Sequence, residues 1–198
     1  MDRERLKKQI DFIVEIDKLK GIFRQSYIVD GSRKENDAEH SWHLAVMAFM
    51  LSEYYGGDAL DIQKVMKMVL VHDLVEIYAG DTYCYDEKGY EDKCEREKAA
   101  ADTLFGMLPE DQCKEFMELW REFEDCNTDE AHFAAVLDRL QPLLLNYNAK
   151  GKSWIEHNIH KDQVLQRNSM VLKKEGPVHD FVLDMIEEAI AKGYLKSN

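Results

Sequence analysis

An all-α fold is predicted by three observations. Apolar residues recur at helical spacing along nearly the whole chain, strict alternation over a strand length is hard to find, and only three prolines and ten glycines punctuate 198 residues. A chain of this length can bury a real core without disulfides or a structural metal. No Ser/Pro/Gly-rich stretch marks a linker, so residues 1–198 are read as a single domain, a bundle of about eight helices.

In chain order the spacing predicts helices over residues 4–20, 37–55, 61–79, 92–107, 110–125, 129–149, 153–172 and 178–192. The second carries Trp42-His43-Leu44-Ala45-Val46-Met47-Ala48-Phe49-Met50-Leu51, apolar nearly all round, which predicts a central helix enclosed by others. Asp61 is suited to cap the third and Gly80 to end it. Pro109 and Gly176-Pro177 mark later joints. Between Gly80 and Lys98 the chain is rich in Asp, Glu, Tyr and Lys, and this stretch is read as a solvated loop rather than a lid.

Charge and cysteine usage exclude several classes of function. A net charge of -13 opposes nucleic-acid backbones and anionic membranes, and no basic stripe offsets it, so no nucleic-acid or membrane partner is expected. The charged start Met1-Asp2-Arg3-Glu4-Arg5 lacks the apolar core of a secretory signal, which predicts a cytoplasmic protein. Cys84, Cys94, Cys113 and Cys126 are widely spaced, as reduced thiols are.

The chemistry lies in polar residues on apolar faces. In the third helix Ile62, Val65, Met66 and Val69 define a buried stripe that Asp73 and Glu76 share, with His72 at its edge. Unpaired carboxylates in an apolar interior require a proton, a cationic partner or a metal, and no Lys or Arg lies on that stripe. His40 lies on the most apolar line of the second helix, with Leu44, Met47 and Leu51, while His43 sits off its centre as a supporting group. Asp138 precedes Pro142 by four residues, so its carbonyl lacks a helical N–H partner and a bend is expected there. Imidazoles and carboxylates together suit one divalent transition metal: Mn, Co, Fe, Ni or Zn.

The order His40, then His72-Asp73, then Asp138 resembles the HD-domain superfamily of metal-dependent phosphohydrolases. The strings Glu39-His40-Ser41, His72-Asp73-Leu74-Val75-Glu76, Ala79-Gly80-Asp81 and Leu137-Asp138-Arg139-Leu140 are similar to its 5'-deoxynucleotidase-like branch. The resemblance implies that His40, His72, Asp73 and Asp138 ligate the metal, that Glu76 and Asp81 are catalytic, and that Arg24 contacts the phosphate; Arg33 or Lys34, just ahead of the metal helix, and Glu39 are expected to meet the substrate as well. Gln25 stands where the branch has an aromatic residue close to the sugar.

The expected activity is release of phosphate from (deoxy)nucleoside 5'-monophosphates through a metal-activated water that Glu76 positions or deprotonates. The alternatives are another HD-type hydrolase, acting on a nucleoside triphosphate or a cyclic phosphodiester, and a helical binding module that keeps its metal for stability alone. Only His132 falls between the His-Asp step and Asp138, which favours a single metal, and His157, His160 and His179 are read as solvated. Trp154 is read as packing rather than base stacking. Apolar residues on the last helices permit a homodimer.

Overall fold

Asp2 starts the first helix, its side chain accepting from the backbone N–H groups of Glu4 and Arg5, and α1 runs Arg3–Glu15 before tightening into a 3-10 segment, Ile16–Gly21. In this computed structural model, which describes residues 2–56, 59–86 and 88–197, the chain then forms an antiparallel hairpin, β1 (Phe23–Tyr27) and β2 (Lys34–Asn36). Phe23 pairs with Asn36 and Tyr27 with Lys34 across an irregular register. The turn is built on Asp30 and Gly31: Asp30 accepts from the Ser32 N–H, and Gly31 takes φ 70°. Strands of five and three residues are too short for alternation to reveal, and so the all-helical reading missed them.

Helix α2 (Asp37–Leu51) follows directly, started by a capping box in which Asn36 accepts from the Glu39 N–H and Glu39 accepts from the Asn36 N–H. Leu44, Ala45, Met47 and Ala48 are buried, but Trp42, Phe49 and Met50 are 55–64% exposed, so this helix has an open face where enclosure was expected. Helix α3 (Ile62–Val71) is capped by Asp61; a 3-10 turn (His72–Val75) and the short α4 (Glu76–Ala79) continue it to Gly80, whose φ of 77° ends it.

Helices α5 (Lys93–Phe105), α6 (Glu110–Asp125) and α7 (Asp129–Asn148) complete the central layer, α7 packing against α2, α3 and α6. The predicted helix over 153–172 is divided into α8 (Lys152–Glu156), α9 (Lys161–Arg167) and a 3-10 turn, Val171–Lys173. Asn158, with φ 55°, breaks the first from the second. Helix α10 (Pro177–Ala191), with Pro177 in its first turn, closes the chain. One core joins these elements, with Leu44, Val65, Met68, Leu104, Phe105, Phe133, Leu137, Trp154 and Ile186 almost completely enclosed. Among the described residues no helix is long and apolar enough to cross a membrane.

Candidate active site

The capping box sets the start of α2 so that His40 points into the core one turn later, completely buried. The 3-10 turn does the equivalent for α3. It follows α3 directly, and its first two residues, His72 and Asp73, are both buried. Asp138 reaches the same point from the middle of α7, which continues through Pro142.

The four side chains converge. His40 Nε2 lies 3.1 Å from Asp138 Oδ1 and 3.7 Å from Asp73 Oδ2; His72 Nε2 lies 3.1 Å from Asp73 Oδ1 and 3.8 Å from Asp138 Oδ1. One donor atom each from His40, His72 and Asp73 fits within a 4.8 Å span. Both rings are fixed from behind. His40 Nδ1 donates to Gln141 Oε1 at 2.9 Å and His72 Nδ1 donates to the Val69 carbonyl at 3.0 Å, which leaves each Nε2 as the lone-pair atom facing the cluster. Gln141 is itself held, its amide reaching Glu35 Oε1 at 2.6 Å and His43 Nδ1 at 3.2 Å. His43 thus supports the ligand through Gln141.

Arg24, on β1, enters from the hairpin and binds Asp73 Oδ2 at 2.8 Å, with Asp37 Oδ1 at 3.4 Å and Asp138 Oδ1 at 3.8 Å. Burial pulls its pKa down, but Asp73, Asp138, Glu76 and Asp37 more than offset this and hold it well above the usual value. Burial pushes Asp73 and Asp138 up, yet the neighbouring imidazoles and Arg24 bring Asp73 below its ordinary value, and the approach of His40 and His72 brings Asp138 well below. Glu76 moves the other way: burial, then the charges of Asp73 and Asp37, raise it.

The donor set fits a divalent cation. Two imidazole nitrogens and two carboxylates converge, and His72 Nε2, Asp37 Oδ2 and Glu76 Oε2 are buried without a hydrogen-bond partner. Asp37, Asp73 and Glu76 also have donor atoms within 4.8 Å of one another. Asp37 escaped the sequence reading, although it stands three residues before His40 on the same helix.

A chamber of about 110 Å³ opens onto this cluster, with Arg24, Asp73, Glu76, Asp81 and Asp138 on its wall. Burial raises Asp81. The stretch after Gly80, expected to be a solvated loop, instead builds the chamber's roof with Thr82, Tyr83, Cys84, Tyr85, Tyr90 and Lys93. Arg96 pins it there, donating to the Ala79 carbonyl at 2.6 Å, the Gly89 carbonyl at 3.0 Å and Thr82 Oγ1 at 3.2 Å. Glu87 lies outside the described residues.

Two expected substrate contacts are not brought to the chamber. Arg33 and Glu39 pair with each other on the surface at 2.7 and 2.8 Å, Arg33 half exposed, because Glu39 is turned outward by its part in the capping box. Of the other histidines, His132 contacts Cys126, His157 lies against Tyr83, and His179 pairs with Asp180. None of them joins a cluster able to hold an ion among the described residues. Trp154 is buried and also forms part of the chamber wall.

The sequence pattern of the HD domain matches residues 16–178, from the 3-10 turn after α1 into α10. The chain belongs to the HD domain family. This HD domain protein is similar to 5'-deoxynucleotidase HDDC2 of Homo sapiens, 32% identical over 136 residues, which cover 68% of this chain and 65% of the human protein. The Dictyostelium discoideum protein of the same name is 33% identical over 143 residues, 70% of this chain and 75% of the relative. The chain thus spans just under two thirds of the human relative's length. Among solved structures it resembles a predicted metal-dependent phosphohydrolase from Magnetospirillum magnetotacticum MS-1, with TM-score 0.91 and 47% identity over 97% of this chain and 96% of the other. The PH0347 protein from Pyrococcus horikoshii OT3, at TM-score 0.65, 24% identity and 92% and 99% coverage, shares the fold.

Proposed function

We propose that this HD domain protein is a phosphomonoesterase that releases phosphate from (deoxy)nucleoside 5'-monophosphates. The observation that carries the reading is the meeting of a four-donor cation site, a spare buried carboxylate and a buried guanidinium in one chamber. The names of the HDDC2 relatives supply the substrate class.

His40, His72, Asp73 and Asp138 would hold one divalent transition metal, Mn, Co, Fe, Ni or Zn. Such a cation, when bound, polarises a phosphoryl oxygen and acidifies water. Arg24 faces the same space and binds the phosphate, offsetting its charge in a chain of net -13. Glu76 Oε2, buried without a partner, accepts the proton of the attacking water as its oxygen bonds to phosphorus. Asp81, held up by burial, supplies a proton to the 5' oxygen as the P–O bond breaks. A structural cation site has no use for two extra buried carboxylates beside it, which disfavours the binding module.

The reading extends to context. The free thiols support a reducing cytoplasm, and apolar side chains left exposed on α1 and α2, among them Ile13, Trp42 and Phe49, support a homodimer. The deciding experiment is phosphate release from nucleoside mono-, di- and triphosphates and cyclic diesters, each assayed with several metals. Release from 5'-monophosphates in preference to the others is expected; diester cleavage with inert monoesters would overturn the proposal.

A further inference from the structure

A second chamber, of about 440 Å³, opens beyond the first. It is walled by Cys84, Tyr85, Tyr90, Gln163, Gln166 and Arg167, and four of these, Cys84, Tyr85, Tyr90 and Arg167, also wall the inner chamber. The two spaces therefore share a neck. The side chain of Arg167 stands in that neck, with Nη2 3.7 Å from Asp138 Oδ2 and no hydrogen bond among the described residues.

The composition of the outer wall is specific. In a chain with 39 acidic residues this wall has no carboxylate, and it offers two phenol rings, two primary amides and a guanidinium. Helix α9 produces the arrangement by its periodicity. Val164 and Asn168 turn into the core, while Gln163, Gln166 and Arg167, at i, i+3 and i+4, turn to the chamber. Gln163 Oε1 is occupied by the His160 N–H at 3.0 Å, which holds that side chain in place. The side chain of Gln166 makes no hydrogen bond among the described residues, leaving its amide donor and acceptor for a ligand. Tyr90 is 41% exposed, its ring accessible to a flat partner.

Size assigns the halves of a substrate. The inner chamber takes on the order of ten water-sized groups, enough for an ion, its waters and a phosphoryl group, whereas a nucleoside must extend outward. Flat rings stack on tyrosine, and a glutamine amide pairs in two directions with the edge of a base. The geometry points to the outer chamber as the seat of the nucleobase, stacked on Tyr90 or Tyr85, read at its edge by Gln166, with Arg167 covering the link to the phosphate. This inference rests on the proposed monophosphatase reading and adds to it the residues that recognise the base.

The test compares deoxyadenosine 5'-monophosphate with deoxyribose 5-phosphate, which lacks the base, on Mn²⁺-loaded protein and its Tyr90→Ala and Gln166→Ala variants. The ratio of kcat/KM, nucleotide over sugar phosphate, is expected to be on the order of tenfold or more in the parent protein and to fall on the order of tenfold in Tyr90→Ala, with a smaller fall in Gln166→Ala. A parent ratio near one, or a ratio that both variants leave unchanged, would overturn the base seat. Should the parent protein turn over neither compound with any metal, the monophosphatase reading fails by itself. Binding of free deoxyadenosine, followed by calorimetry, then decides the base seat: a Kd weakened on the order of tenfold in Tyr90→Ala upholds it, and an equal Kd removes it.

Discussion

The Nδ1–H of His40 donates to Oε1 of Gln141 across 2.9 Å, holding the ring on α2 from behind against the helix that carries Asp138. It fixes the tautomer that presents Nε2 to the cluster. Replacing Gln141 by Ala is expected to weaken metal binding about 10- to 100-fold while the helical content is kept. Chelator competition together with circular dichroism reads both; an unchanged affinity would show that His40 orients without help.

Glu76→Gln keeps the shape of the side chain and removes its basicity. Turnover is expected to fall by about 10²- to 10⁴-fold with the metal content near that of the parent protein. Phosphate release and elemental analysis on one preparation separate the two effects. Activity at the parent level would remove Glu76 from the mechanism.

Arg24 touches Asp73 and faces Asp37 and Asp138, all in the interior. Arg24→Ala leaves those carboxylates without their guanidinium, and the chelator-treated variant should lose about 3–5 kcal/mol against urea. Added metal should restore part of it, since an ion that binds only the folded state stabilises by mass action. Restored stability with a raised KM for the monophosphate is the expected signature of a phosphate-binding residue.

Burial and the neighbouring Asp73 push Asp37 up to about 7, from an ordinary value of 3.8. Between these values the folded protein keeps a proton that the unfolded chain has lost. This stabilising contribution is complete below pH 3.8 and disappears as pH rises through 7. In chelator-treated protein, Asp37→Asn should therefore flatten the fall in stability over that window, as urea midpoints taken at several pH values would reveal. An identical slope in both proteins would count against the shift.

Arg33 and Glu39 provide the converse test. They pair at the surface, away from the chamber, so Arg33→Ala should leave KM within about twofold of its parent value. A large rise would restore Arg33 to the substrate site.

Most of the helical order was legible in the sequence, since periodicity carried His40, Asp73 and Glu76 inward on buried stripes, while the grouping of these with His72 and Asp138 came from the resemblance of their order along the chain. What was not legible depends on contacts between distant segments. The hairpin that delivers Arg24 is too short to show alternation, and the 3-10 turn that holds His72 and Asp73 leaves no mark in a count made at a constant helical pitch. Gln141 could have been found, since it lies three residues after Asp138 on the same face. The roof of the chamber could not. Its polar residues resemble any solvated loop, and contacts with other segments, those of Arg96 to Ala79, Thr82 and Gly89 among them, make them part of the interior.

That clasp of Arg96 has a mechanical consequence. One guanidinium on α5 is tied both to the end of α4 and to the roof, so moving the roof away from the chamber must break its bonds to Thr82 and Gly89 or carry α5 along.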